Sequence, residues 1–291
     1  MFRHRRLLVI TVLVALALAI GAWGGRHMLE QRAETQARQY LALAMPHAEV
    51  SWDRLRISLP RLHTVLEDVT LTYQAHEEPV RVDEIRILAL DRHHAVPHHL
   101  HARVTGVAVP LSQLPRAQRM LAEQLGFENT LHADYELDYR FQPNRETLEL
   151  RRLGLTLVDG GALSLTASLE NIRPQSLQQR GPAEMARVRL REGRLVYHDD
   201  SLVGRARNWY GASNGEGADL TDELETYQDP GAPDEYRQAL EELRQFLRDP
   251  GRLEITSLPD NPVTLPEVVT TAVLQPRRLP RLLGLQVTAS Q

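Results

Sequence analysis

The feature that most constrains the fold is a strict alternation of apolar and polar residues near the middle of the chain. Its apolar members are Leu131, Ala133, Tyr135, Leu137, Tyr139 and Phe141. The residues between them are His132, Asp134, Glu136, Asp138 and Arg140. Because successive side chains of a β-strand point to opposite faces, this spacing predicts a strand with one dry face and one wet face.

Shorter alternations on both sides of this strand predict an antiparallel sheet. They are bounded by Pro, Gly, Asp or Glu, and they lie at 50–59, 69–73, 80–87, 100–109, 148–157, 163–169, 188–190, 195–197 and 253–255. Asp159-Gly160-Gly161 predicts a hairpin turn, and Glu192-Gly193 predicts a second one between 188–190 and 195–197. Helical spacing interrupts the strands at 112–126 and at 234–249, so we expect an α+β body.

An apolar run near the N-terminus predicts a membrane segment. Arg3, Arg5 and Arg6 precede Leu7 to Trp23, a stretch without any charge that would span about 25 Å as a helix. The basic residues before the run place the N-terminus in the cytoplasm. A cleaved signal peptide is the competing interpretation, but helical spacing continues to Pro46, which favours an uncleaved anchor. Both interpretations put the body outside the cytoplasm.

The composition excludes several classes of function. The chain has no cysteine, which excludes disulfides and thiolate chemistry, and all 34 basic residues are arginine, which excludes Schiff-base and P-loop lysines. A net charge of −4 gives no field that would attract nucleic acid, so nucleic-acid binding is not expected.

The order of these segments resembles a family of bacterial envelope proteins. The stretches VRVDEIRILAL (80–90) and VPHHLHARVTGVAVPL (96–111), after a basic tip and a single anchor, resemble the N-terminal region of AsmA-like proteins. The stretches GALSLTASLENI (161–172), GRLVYHDDSLVGR (193–205) and 250–287 look more like YdgA-like proteins. The resemblance implies an inner-membrane anchor and a periplasmic β-sheet curved into a trough. Larger AsmA-like proteins are linked to moving phospholipid along such a groove, and no catalytic residue is assigned in the family.

Pattern and resemblance together define the expected architecture. The predicted fold class is α+β, with an N-terminal transmembrane helix followed by a long curved antiparallel β-sheet, groove- or taco-like, and a few packed helices. The expected segments are a cytoplasmic tip at 1–6, a transmembrane anchor at 7–25, a membrane-proximal helix at 26–45, the sheet body at 46–200, a helical segment at 201–250 and a closing strand–helix–strand segment at 251–291. The expected location is the bacterial inner membrane, single-pass, with the body in the periplasm.

A histidine-rich loop is the one candidate for metal chemistry. Residues 93–101 hold five of the twelve histidines, and His99 and His101 would point to the same side of a strand as a pair of ligands. Asp91 precedes the loop, and Pro97 keeps it irregular. A solvated, histidine-rich loop is the preferred interpretation, so no metal and no cofactor are predicted.

Enzyme chemistry has little support in the sequence. His198, Asp199 and Ser201 are the residue types of a hydrolytic triad, but neighbours on a strand face opposite ways and do not converge. Asp200 and Ser201 fit a strand exit and a helix cap instead. The expectation is a protein without catalytic residues.

The apolar strand face from Leu131 to Phe141 leaves two interpretations open. It is either an open groove, in which acyl chains lie, or a core face covered by helices. The preferred hypothesis is therefore a non-enzymatic, membrane-anchored envelope protein that binds or transfers lipid. The alternative is an envelope scaffold or protein-interaction module. Expected partners are the membrane, phospholipid and other envelope proteins.

Overall fold

A computed structural model describes most of the body of the chain. The described residues are 48–58, 63–73, 78–91, 94, 97–173, 186–215, 218–227, 229 and 231–291. They divide into two compact units. The first comprises residues up to Glu123 together with Phe127–Tyr139, and the second comprises Gln124–Gly126 and Arg140–Gln291.

In its described residues, the first unit is an antiparallel sheet of six strands with one α-helix. The strands are β1 (Ala48–Ser51), β2 (Arg54–Ser58), β3 (His63–Tyr73), β4 (Val80–Leu90), β5 (His99–Pro110) and β6 (Thr130–Gln142), and α1 (Arg116–Gln124) precedes β6. β1 and β2 both pair with β3, and the order then runs β3-β4-β5-β6. The last three residues of β6 belong to the second unit.

Cross-strand rows of aliphatic side chains form the core of the first unit. Ile85 on β4 lies opposite Leu66 of β3 and Val104 of β5, and all three are at most 5% exposed. A second such row lies beside it and contains Val69, Val82 and Val107. The alternation of apolar and polar residues in these strands puts the members of both rows on one face, which is why they pack together.

In the part of the second unit that the structure describes, five α-helices accompany an antiparallel sheet of long and short strands. Its strands are β7 (Thr147–Leu157), β8 (Gly161–Glu170), β9 (Arg189–Asp199), β10 (Arg252–Ser257), β11 (Val263–Thr264) and β12 (Leu285–Ser290). Its helices are α2 (Leu202–Asn214), α3 (Leu220–Glu225), α4 (Asp234–Arg248), α5 (Leu265–Leu274) and α6 (Leu279–Leu283). The strand order is β7-β8-β9-β10-β12, and β11 pairs with β9.

Helix α4 covers part of the sheet within the second unit. Its buried Phe246 packs against Val203 of α2 and against Leu253 and Val287 of the sheet. The amphipathic spacing recognised at 234–249 therefore identifies the helix that forms this core, and Pro233 and Pro250-Gly251 flank it as its sequence predicts.

The predicted fold class requires a correction. No helix in the described part of the chain is long and apolar enough to cross a membrane. The longest of them, α4, has 15 residues and carries Asp, Glu and Arg side chains, whereas a membrane span needs about 20 mostly apolar residues. The predicted tip at 1–6, transmembrane signal anchor at 7–25 and helix at 26–45 lie outside the described residues. The fold is an antiparallel β-sheet with short helices, and the inner-membrane location stays a prediction.

The predicted hairpin at Glu192-Gly193 is wrong. Both residues lie inside β9, where Gly193 pairs with Ala167 of β8 on one side and with Ser257 of β10 on the other. The hairpin at Asp159-Gly160-Gly161 is confirmed, because it joins β7 to β8 and Asp159 and Gly161 both have positive φ angles.

Candidate functional site

The predicted apolar strand corresponds to β6, and its side chains are largely packed. Ala133 and Phe141 are 5% and 4% exposed. Tyr135, Leu137 and Tyr139 pack against the core of the first unit, and Phe141 packs with Ile172 and Val188 in the second. Leu131 is half-buried. The hydroxyl of Tyr139 donates to the Pro97 carbonyl oxygen at 3.0 Å. Burial, together with the charge of Asp91, raises the pKa of Tyr139 to about 12.

A more open apolar surface lies on β7, β8 and β9 in the second unit. Cross-strand partners stand on the same face of a sheet, and the register therefore places Leu153, Leu165 and Leu195 in one row. Neighbouring rows add Leu155 with Leu163, and Leu150 with Ala167. We call these seven residues the aliphatic face: Leu150, Leu153, Leu155, Leu163, Leu165, Ala167 and Leu195.

The aliphatic face is partly exposed along its whole length. Leu153 is 37% exposed, and the other six residues are half-buried. Among the described residues, none of the seven belongs to a core cluster. The helix α4 covers the neighbouring part of the sheet, over Tyr197 and Leu253. At the other end, Leu148 and Leu169 pack with Ile172, Val188 and Leu265. The face is therefore an apolar stretch between two packed regions of the same unit.

The opposite side of this sheet carries mostly polar side chains. Ser164, Thr166 and Ser168 alternate with the apolar residues of β8. On β9 the Nε of Arg194 donates to Oε1 of Glu254 at 2.6 Å, and this hydrogen bond holds the pKa of Glu254 below its usual range. Polar side chains on one face and leucines on the other are what a sheet with one hydrated side requires.

In the segment from His198 to Ser201, the side chains of Asp199 and Ser201 make hydrogen bonds that hold the end of β9. The Tyr197 hydroxyl donates to Oδ1 of Asp199 at 2.7 Å and lies 2.8 Å from the Gly160 carbonyl oxygen. The same Oδ1 accepts the backbone N–H of Val203 at 3.0 Å, which caps α2. The Ser201 hydroxyl donates to the Asp159 carbonyl oxygen at 2.6 Å. These contacts join β9 to the β7–β8 turn, and burial with the Asp199 hydrogen bond raises the pKa of Tyr197.

The histidine-rich loop gathers ligands other than the predicted pair. His99 is exposed at the start of β5, and Nε2 of His101 lies 2.9 Å from Oε1 of Glu136. The group that comes together consists of Asp91, His94 and His98, whose ligand atoms all lie within 4.8 Å of one another. We call this group the Asp91 cluster. Asp91, the acidic residue just before the loop, is the sequence feature that could have indicated this cluster.

A cleft of about 960 Å³ lies beside α1 in the first unit. Charged side chains border it, including Glu78, Arg116, Arg119, Glu123 and Glu128. A lining of this kind is unsuited to an acyl chain, because each buried charge would lose its hydration. The cleft therefore gives no support to a lipid channel.

Comparison with known proteins locates a shared segment in the second unit. A family model described as "Uncharacterized protein" matches residues 154–290, which run from within β7 to the end of β12. No curated protein matches the chain. Neither result links the chain to AsmA-like or YdgA-like proteins, so that resemblance stays a prediction. The matched segment contains most of the aliphatic face.

Proposed function

We propose that this protein binds lipid acyl chains on the aliphatic face of β7, β8 and β9. The partial exposure of seven neighbouring aliphatic residues is the observation that carries the proposal. Contiguous apolar surface is costly in water, at about 25 cal/mol per Å² of accessible area, so an exposed stretch of this kind favours an apolar ligand.

The chemistry of the aliphatic face favours an acyl chain over a polar ligand. Leucine and alanine side chains offer neither donors nor acceptors, so nothing on the face would orient a sugar, a nucleotide or a peptide backbone. From Leu150 to Leu155 the strand extends about 17 Å, which suits an extended hydrocarbon chain. Each methylene removed from water contributes about 0.8 kcal/mol.

A photoreactive phospholipid tests this proposal on the full chain. The photoreactive group is attached to the acyl chain, and mass spectrometry identifies the cross-linked peptides. This distinguishes lipid adducts on the body from adducts on the N-terminal apolar run. We expect adducts on β7 and β8. Leu165→Glu places a charge in the central row and should abolish these adducts.

The matched control is Thr166→Glu, which puts the same charge on the polar face of the same strand. It should retain the β7–β8 adducts. Adducts that are equally abundant in a folded Leu165→Glu variant, or that lie only outside β7 and β8, would exclude lipid binding on the aliphatic face.

A second candidate function is protein interaction through α5. Val269, Val273 and Leu274 of this helix are 61%, 73% and 71% exposed. Arg278 and Arg281 follow within seven residues and form no ion pair with any described residue. An apolar helix face beside two uncompensated positive charges fits a partner protein whose apolar patch is bordered by acidic groups.

A photoreactive amino acid at position 273 distinguishes the two candidates in cells. Capture of one discrete protein, lost when both Arg278→Glu and Arg281→Glu are introduced, would support the interaction function. Capture of lipid alone would contradict it. A probe at Thr270, which is exposed on the same helix, controls for collisions with abundant proteins.

A further inference from the structure

We propose that the Asp91 cluster is a binding site for a divalent transition-metal ion, with Zn²⁺ as the best-fitting ion. Its ligands are the carboxylate of Asp91 and the imidazoles of His94 and His98. The site belongs to the first unit and does not depend on the proposed lipid binding.

The ligand set matches the chemistry of these ions. Imidazole nitrogen and carboxylate oxygen are the donors that Zn²⁺ and its first-row neighbours accept, whereas Mg²⁺ and Ca²⁺ prefer all-oxygen sites. Two histidines and one carboxylate fill three positions of a tetrahedral ion. Three protein ligands leave a fourth position for water.

The distances within the cluster are close to those of a bound ion. Nδ1 of His94 lies 2.6 Å from Oδ2 of Asp91, and Nδ1 of His98 lies 3.9 Å from the same oxygen. With bonds of about 2.0–2.2 Å, ligand atoms on one tetrahedral ion stand about 3.4 Å apart. Both separations therefore differ from the bound geometry by less than about 1 Å.

The two imidazole rings must tilt to share an ion. They stack with their centroids 3.6 Å apart and their planes 19° from parallel. A metal ion binds in the plane of each ring, so one ring has to rotate until the two lone pairs converge. The side chain of His94 is 52% exposed, and it has the space for this rotation.

The carboxylate is held in place by the backbone of the loop. The Asp91 side chain is only 6% exposed, and its Oδ2 accepts the backbone N–H of His98 at 2.9 Å. The Asp91 N–H donates to the His99 carbonyl oxygen at 2.9 Å, which closes the loop at its base. Such contacts fix the orientation of one ligand before an ion arrives, which reduces the entropic cost of binding.

Zinc titration of the full chain by calorimetry tests the site. We expect one Zn²⁺ per chain at this site, and an affinity at least about tenfold lower in His94→Ala and in His98→Ala. His99→Ala removes an exposed neighbour outside the cluster and should bind like the wild type. Circular dichroism verifies that each variant is folded, and the half-exposed position of His94 makes His94→Ala the safest variant.

Cobalt gives an independent spectroscopic readout. Co²⁺ in a site of nitrogen and oxygen ligands should show visible absorption that is displaced by Zn²⁺, and Asp91→Asn should weaken it. Equal Zn²⁺ affinity in the wild type and in folded His94→Ala and His98→Ala variants would overturn the proposal. Absence of saturable Zn²⁺ binding to the wild type would overturn it as well.

Discussion

At the scale of single residues, the Tyr197 hydroxyl links three parts of the second unit. It contacts Asp199 and the Gly160 carbonyl, and Asp199 in turn caps α2 through Val203. A side chain at the end of one strand therefore positions both the β7–β8 turn and the following helix.

Tyr197→Phe is expected to lower the free energy of unfolding by about 2 kcal/mol at neutral pH, because a hydrogen bond to a charged acceptor is lost. The pKa of Tyr197 is raised in the folded protein, so its contribution is present below the unfolded pKa of about 10 and is lost as the pH rises above it. Urea unfolding at pH 7 and at alkaline pH measures both effects. A difference between the two proteins that does not shrink at alkaline pH would contradict this assignment.

Asp219 makes a comparable contribution at the start of α3. Its carboxylate accepts the backbone N–H of Thr221 at 2.9 Å, and this bond holds the pKa of Asp219 below its usual value. Asp219→Ala should cost about 1 kcal/mol at pH 7. Because the folded pKa is lowered, the contribution is present above the unfolded pKa of about 3.9 and disappears as the pH falls below it. Thermal unfolding of both proteins at pH 7 and pH 3 checks this, and Asp219→Asn serves as a control that retains an acceptor oxygen.

At the scale of secondary-structure elements, two glycines differ in backbone conformation and in the space available to a Cβ atom. Gly161 begins β8 with a φ angle of +132°, and an added Cβ would lie 2.3 Å from the His198 carbonyl oxygen. Gly204 lies in α2, and nothing stands within 4 Å of an added Cβ.

Gly161→Ala should destabilise the protein by about 3 kcal/mol or more, because the backbone conformation is strained and the Cβ meets the neighbouring strand. Gly204→Ala should stabilise it by about 0.5–1 kcal/mol, because alanine favours a helix interior. Chemical denaturation of both variants measures whether each substitution lowers or raises the free energy of unfolding. A neutral Gly161→Ala would show that the β7–β8 turn adapts without cost.

Two glycine-containing segments between β7 and β9 show when the local sequence predicts a turn correctly and when it does not. Asp159-Gly160-Gly161 forms the turn that its sequence predicts because residues with positive φ angles are needed there. Glu192-Gly193 also contains a glycine next to an acidic residue, but β8 pairs with both residues and β10 pairs with Gly193, which keeps the segment extended. Long-range pairing decided that outcome, and a short sequence window does not contain it.

At the scale of the whole molecule, each unit has a core of its own. Ile85 belongs to the core of the first unit, and Phe246 belongs to a core of the second. Phe246→Ala should cost about 3–5 kcal/mol.

Hydrogen exchange measured by mass spectrometry shows which part of the chain is destabilised by such a substitution. We expect Phe246→Ala to speed exchange mainly in residues 140–291, and Ile85→Ala to speed it mainly in β3 to β5, because local stability follows local burial. Uniform acceleration in both units by either variant would show that the whole chain unfolds as one cooperative body.

The sequence by itself determined the positions of most strands, the amphipathic helix α4 and the hairpin at Asp159, because these depend on periodicity and on local backbone preferences. It indicated that β6 has a dry face, but alternation does not say what covers such a face. The tertiary structure packed β6 against other strands and left the leucines of β7 and β8 half-buried, since the placement of α4 depends on contacts distant in the chain. It also joined Asp91 to His94 and His98 instead of pairing His99 with His101. His94 and His98 contact Asp91 from positions outside the strands, and strand periodicity does not predict where such residues lie.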